Sequence, residues 1–103
     1  HVVTYYDYTS PVSEQFRTAR THLKSMLNHK SNGIRKPLEK KTLVSRPHVV
    51  CLTSSLNSEG KSITGINLAV ALSRDIDSKV LMIDCDLRRG SLASYLNVEN
   101  KYG

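Results

Sequence analysis

The sequence predicts an α/β fold: a parallel β-sheet sandwiched by helices, of which this chain supplies a leading helix and one βαβ unit. Three observations carry that reading. An apolar run, Val49-Val50-Cys51-Leu52, leads into a loop of small and polar residues that ends in Gly60-Lys61-Ser62. An amphipathic stretch follows the loop. A second apolar run, Val80-Leu81-Met82-Ile83, then breaks into Asp84-Cys85-Asp86-Leu87-Arg88-Arg89. Continuously apolar strands joined through a helix belong to a parallel sheet covered on both faces, with a right-handed crossover.

Each element has a local cause. Residues 4–9, with Tyr5, Tyr6 and Tyr8, read as an extended lead-in whose tyrosines pack or face solvent. Ser10-Pro11 starts a helix, because Ser10 caps free N–H groups and proline suits the first helical position. Val12, Phe16, Ala19, Leu23, Met26 and Leu27 then form one helical stripe, so the leading helix is expected over 10–28. Asn32-Gly33 and Pro37 interrupt regular structure, and a basic loop is expected over 29–47. Strand 49–53, loop 54–60, helix 61–73 and strand 79–84 complete a βαβ unit within 48–86. The central helix presents Ile63, Ile66, Ala69, Val70 and Leu72 as its apolar face. Ser91 is placed to cap a short helix over 92–96. Cys51 and Cys85 are expected as reduced, buried core residues.

At 103 residues the chain is at most one domain, and no run approaches the ~20 apolar residues that cross a bilayer. Two strands cannot bury themselves beneath two or three helices. The chain therefore reads as the N-terminal part of one larger nucleotide-binding domain. Its net charge is +6, but residues 28–48 hold six basic residues against one acid, so nearly all the excess lies in the loop. Such a loop can meet acidic lipid, an acidic partner or nucleic acid; it is read here as a solvated linker, with no nucleic-acid partner.

The glycine-lysine-serine junction between strand and helix is the chemistry of a phosphate cradle, a P-loop. Amides at a helix N-terminus face the anion, the lysine adds a point charge, and the serine hydroxyl reaches Mg²⁺. The expected cofactors are ATP and Mg²⁺. Lys61 bridges the β- and γ-phosphates, the amides of Asn57, Ser58, Glu59, Gly60 and Ser62 line them, and Ile63 and Thr64 lie near the α-phosphate. Ser55 occupies the position of the first glycine in the strict pattern and is counted among the nucleotide-binding candidates. Asp84 and Asp86 are hard oxygen donors that join Ser62 as metal candidates, or one of them takes a proton from an attacking hydroxyl. Arg88 and Arg89 either stabilise phosphate charge or form surface ion pairs. Lys61, Asp84, Asp86 and Arg88 are the catalytic candidates.

These residues resemble the cytoplasmic kinase domain of bacterial tyrosine kinases (BY-kinases), autokinases of capsule and exopolysaccharide assembly. The run Ser10-Pro11-Val12-Ser13-Glu14-Gln15-Phe16-Arg17-Thr18-Ala19-Arg20 resembles the family's leading helix with its E-x-x-R-x-x-R motif. Residues 53–62 resemble its Walker A loop, and 81–89 resemble Walker A′, a motif specific to this branch of P-loop ATPases. The resemblance implies a Rossmann-like P-loop fold that binds Mg·ATP and transfers its γ-phosphoryl group to tyrosines. It implies a membrane-anchored polysaccharide chain-length regulator as activator, a site at the cytoplasmic face of the cell membrane, and a homo-oligomer built through Glu14, Arg17 and Arg20. On spacing alone, Glu14 and Arg17 form a simple helix-surface pair.

The sequence also departs from the family. Asn57-Ser58 replaces Pro-Gly, so a Cβ stands where backbone freedom is expected. Gly90 replaces a proline. The Walker B aspartate and the C-terminal tyrosine cluster have no counterpart here, so this portion by itself is expected to have negligible kinase activity. Two further classes stay open: a partitioning or septum-positioning ATPase, disfavoured because Ser55 and Leu56 offer no early lysine, and a non-catalytic degenerate regulatory domain.

Overall fold

The computed structural model describes residues 7–31 and 47–99. Tyr5, Tyr6, the tail 100–103 and the basic loop over 32–46 lie outside them. Among the described residues there are three helices: α1 (Pro11–Ser31), α2 (Lys61–Ser73) and α3 (Leu92–Leu96). α1 packs on α2, and α3 touches the same α2.

α1 begins where its capping chemistry dictates. Ser10 Oγ accepts the Ser13 N–H at 3.1 Å, and Ser10 O accepts the Glu14 N–H at 3.1 Å. Ser13 is fully buried because its hydroxyl donates back to the Asp7 carbonyl, tying down the chain before the helix. That segment turns at Tyr8-Thr9 rather than running extended. Asp7 drives the turn by accepting the Thr9 hydroxyl at 3.1 Å and the Ser10 N–H at 3.4 Å. The Tyr8 ring lies under two guanidinium groups, Arg17 at 4.3 Å and Arg74 at 5.0 Å. α1 continues to Ser31, three residues past the expected end.

The apolar stripe of α1 is only partly used. Phe16, Leu23 and Leu27 are half-buried, whereas Val12, Ala19 and Met26 are exposed. The centre of the packing lies on α2, where Ile66 and Ala71 are buried together with Asn67. Asn67 satisfies its amide by donating to the Ile63 carbonyl at 2.9 Å. Ile63, Ala69, Val70 and Leu72 are half-buried.

No described residue belongs to a β-strand. A strand exists only through pairing, and the runs 49–53 and 79–84 have no ladder partner among the described residues. Most of their apolar side chains are consequently exposed, Val49 at 91% and Leu81 at 84%, while Met82 is half-buried. Cys51 and Cys85 share that fate. Both are free and exposed, not buried as the apolar runs suggested. One approach does link the first run to α2: a Cβ on Gly65 would stand 3.2 Å from Leu52 Cδ1, close enough that the leucine end would have to shift by a few tenths of an ångström.

Candidate functional site

The loop before α2 is shaped by two left-handed residues. Gly60, at the N-cap of α2, has φ 82°, and Ser58 has φ 64°. Gly60 O accepts the Thr64 N–H at 2.9 Å, opening the helix directly after the turn. The loop is closed from within, since Glu59 Oε2 accepts the Leu56 N–H at 3.0 Å and the Ser54 hydroxyl donates to the Leu56 carbonyl at 3.1 Å. The first amides of α2 are left pointing outward, as at any helix start.

The second motif folds against this loop. Asp86 Oδ1 accepts the N–H groups of Arg88 (3.3 Å) and Arg89 (3.0 Å), making the turn that ends the 79–86 run. Asp86 Oδ2 is left facing Lys61 Nζ at 3.9 Å. Asp84 is used differently. Its Oδ1 accepts the Asp86 N–H at 3.0 Å, and its Oδ2 accepts the N–H groups of Ser91 (2.9 Å) and Leu92 (3.1 Å). The carboxylate, not the Ser91 hydroxyl, therefore caps α3. These amides, Leu92 first and then Asp86, hold the Asp84 pKa below its ordinary value; partial burial opposes them, and Ser91 and the Lys61 charge add to the lowering. The Ser91 hydroxyl turns instead to Ser62, with the two Oγ atoms 2.9 Å apart.

A cavity of about 320 Å³ opens between the two motifs. Asn57, Ser58, Glu59, Gly60, Lys61, Ser62, Ile63 and Asp86 all line it. Ser55 and Thr64 line a neighbouring recess of about 380 Å³ that shares Ser54, Glu59 and Lys61 with the first. Asp84 and Arg88 border neither space, and the wall holds Arg89 in place of Arg88. Ser91 and Tyr95 also form that wall and were not among the sequence candidates. Ser91 precedes α3 and Tyr95 lies within it, so the short helix that follows the Asp86 turn was the available signal. Among the described residues, no three His, Cys, Asp or Glu side chains cluster to hold a metal.

On α1, Glu14 and Arg17 bond to each other, and Arg17 Nη1 also donates to the Tyr8 carbonyl at 2.6 Å. Arg20 points the other way, to the end of α2. No helix among the described residues is long and apolar enough to cross a membrane.

Chemically, the cavity is an anion-attracting helix N-terminus with a lysine, faced by a carboxylate oxygen and a serine hydroxyl. Two relatives sharpen this. Tyrosine-protein kinase YwqD of Bacillus subtilis (strain 168) is 35% identical over 85 residues, covering 82% of this chain and 35% of that protein. Tyrosine-protein kinase ptk of Acinetobacter johnsonii is 37% identical over 59 residues, covering 57% of this chain and 8% of that relative. No family model matches the chain, and no solved structure matches it significantly. The chain belongs to the bacterial tyrosine-protein kinase family. It spans 35% of the length of the first relative and 8% of the second.

Proposed function

We propose that the chain is the phosphate-binding part of an ATP-dependent protein-tyrosine autokinase that regulates exopolysaccharide or capsular polysaccharide synthesis and export. The observation that carries this reading is Lys61 Nζ at the start of α2, 3.9 Å from Asp86 Oδ2 across an open cavity, in a chain whose relatives are named tyrosine-protein kinases. The donor set fits Mg·ATP. Lys61 and the first amides of α2, which have no intrahelical acceptor, suit phosphate oxygens, while Ser62 Oγ and Asp86 Oδ2 are hard donors for Mg²⁺. Two protein oxygens are enough, because Mg²⁺ keeps several waters and takes phosphate oxygens as well.

Bound Mg·ATP would supply the transferable phosphoryl group and neutralise charge as it leaves. The chain's own residues position and balance it. Lys61 sets its ammonium where phosphate charge collects, and Arg89 adds a second cation on the wall. Glu59 closes the loop on the Leu56 N–H and so fixes the backbone that leads into α2. Asp86 holds its turn with one oxygen and presents the other.

The runs 49–53 and 79–84 are proposed to pair as parallel strands of a Rossmann-like P-loop sheet in the whole protein. Their uncovered apolar side chains and the Leu52–Gly65 approach support this. The activating partner is proposed to be a membrane-anchored polysaccharide chain-length regulator, with the kinase at the cytoplasmic face of the membrane. A homo-oligomer through Glu14, Arg17 and Arg20 completes the reading; the Glu14 carboxylate is its most exposed member, at 66%.

The test is incubation of the full-length protein with radiolabelled ATP and Mg²⁺, beside a Lys61→Ala variant. Label on tyrosine that disappears in the variant is the expected result. Phosphate release without labelling, or silence in both proteins, would reject the kinase assignment.

A further inference from the structure

Ser91 has no part in the reading above, yet it touches the heart of the site. Its hydroxyl lies 2.9 Å from the Ser62 hydroxyl, and both side chains are half-buried in the wall of the same cavity. A serine hydroxyl that gives a lone pair to a cation cannot aim its own proton at that cation. The proton must go to another acceptor, and a hydroxyl oxygen has lone pairs to receive it. Ser91 Oγ stands where that acceptor is needed.

Ser91 is itself fixed in place. Its N–H donates to Asp84 Oδ2 at 2.9 Å, and the same oxygen takes the Leu92 N–H at 3.1 Å. Asp84 Oδ1 is held by the Asp86 N–H at 3.0 Å. The chain of contacts thus runs from the Asp84 carboxylate through the Ser91 main chain and hydroxyl to Ser62. Partners beyond the ligands commonly fix ligand orientation in this way.

We infer that Ser91 is a positioning residue for the divalent cation: it accepts the Ser62 proton and so turns a Ser62 lone pair toward the metal. Asp84 acts as the anchor of Ser91, and Ser62 and Asp86 supply the oxygens. This inference rests on the Mg²⁺–nucleotide reading of the site.

The experiment is a titration of MgCl2 into full-length protein with a fluorescent ADP analogue, with a parallel measurement in EDTA. Ser91→Ala is expected to raise the Mg²⁺ concentration for half-maximal binding by about tenfold or more, with binding in EDTA unchanged. Ser91→Thr, which keeps the hydroxyl, should restore most of the loss. In a Ser62→Ala background, adding Ser91→Ala should change nothing further, because the effect acts through Ser62. An unaltered Mg²⁺ requirement in Ser91→Ala would overturn the inference. Equal loss with and without Mg²⁺, or a Ser91→Thr variant as impaired as Ser91→Ala, would overturn it too. If the wild-type protein binds the analogue with no Mg²⁺ dependence, the underlying site assignment fails, an outcome separate from normal wild-type binding with an indifferent Ser91.

Discussion

Arg20 of α1 donates through Nη1 to the main-chain carbonyl of Ala71 in the last turn of α2, 3.1 Å away. Carbonyls at a helix C-terminus lack intrahelical partners, and a cation there also meets the negative end of the helix dipole. The same nitrogen lies 3.4 Å from Asp75 Oδ1, and Lys24 Nζ lies 2.6 Å from Asp75 Oδ2. Two cations of α1 therefore clasp the C-terminal end of the helix whose N-terminal end opens the phosphate loop. Arg20→Ala is expected to lower the free energy of unfolding by about 1–2 kcal/mol, the worth of a charge-assisted hydrogen bond that is mostly shielded from water. Arg20→Lys should recover only part, since an ammonium is more strongly hydrated than a guanidinium and gives up more on partial burial. Urea melts decide it: a loss no larger than that of Gln15→Ala would mean the clasp adds nothing.

Acid should loosen that clasp. The hydrogen bond from Lys24 is the first cause holding the Asp75 pKa below its ordinary 3.8; partial burial opposes it, and the charges of Arg20 and Lys24 add to the lowering. A carboxyl depressed in the folded state is protonated first in the unfolded chain as pH falls. Its stabilisation is complete above the unfolded value and is lost as pH drops through the lower folded one. At neutral pH, Asp75→Asn is expected to be less stable than wild type, with the gap closing below pH 3.8. Thermal melts across the acid range check this; a gap constant with pH would assign the loss to packing instead of charge.

What could be read in the sequence was what is local in it. The cap at Ser10, Pro11 in the first turn and the bounds of α2 and α3 follow from neighbours a few residues apart, and the structure has them. Partners far apart were not legible. Nothing in the spacing of Arg20 ties it to Ala71, or Ser62 to Ser91. The aspartates show the same limit. Residue type marks both as oxygen donors, but only the turn geometry commits Asp84 to three backbone amides while leaving one Asp86 oxygen to face Lys61. Apolarity likewise says that Val49, Leu81 and Cys85 favour burial, without saying what covers them.

Lys61 and Asp86 are each 39% exposed, and an ion pair of that kind contributes at most about 1 kcal/mol to stability. Asp86→Asn keeps an acceptor for the Arg88 and Arg89 amides while removing the charge that faces the cavity. Its thermal stability should therefore stay within about 1 kcal/mol of wild type. Its Mg²⁺-dependent binding of nucleotide should fall sharply. Melting curves and the fluorescent-ADP titration measure the two effects side by side. Full Mg²⁺ dependence in a well-folded Asp86→Asn would assign the cation to other oxygens.

The loop itself carries a conformational cost at Ser58. Its φ of 64° is left-handed, a region that costs a residue with a Cβ about 1–2 kcal/mol, whereas glycine occupies it freely. Replacing Ser58 by glycine removes that strain but adds freedom to the unfolded chain, so the net change in stability should be below about 1 kcal/mol. Phosphate binding should tighten, because the amides of the loop would then sit in their required geometry without opposition. Gly60 is the mirror case. A Cβ there meets nothing within 4 Å, so the penalty of Gly60→Ala comes from the backbone alone, at φ 82°. That variant should lose about 1–2 kcal/mol of stability and bind nucleotide more weakly. Side-by-side melts and titrations of the two variants carry the check. If Ser58→Gly weakened binding as Gly60→Ala does, the left-handed turn would not be what aims the loop.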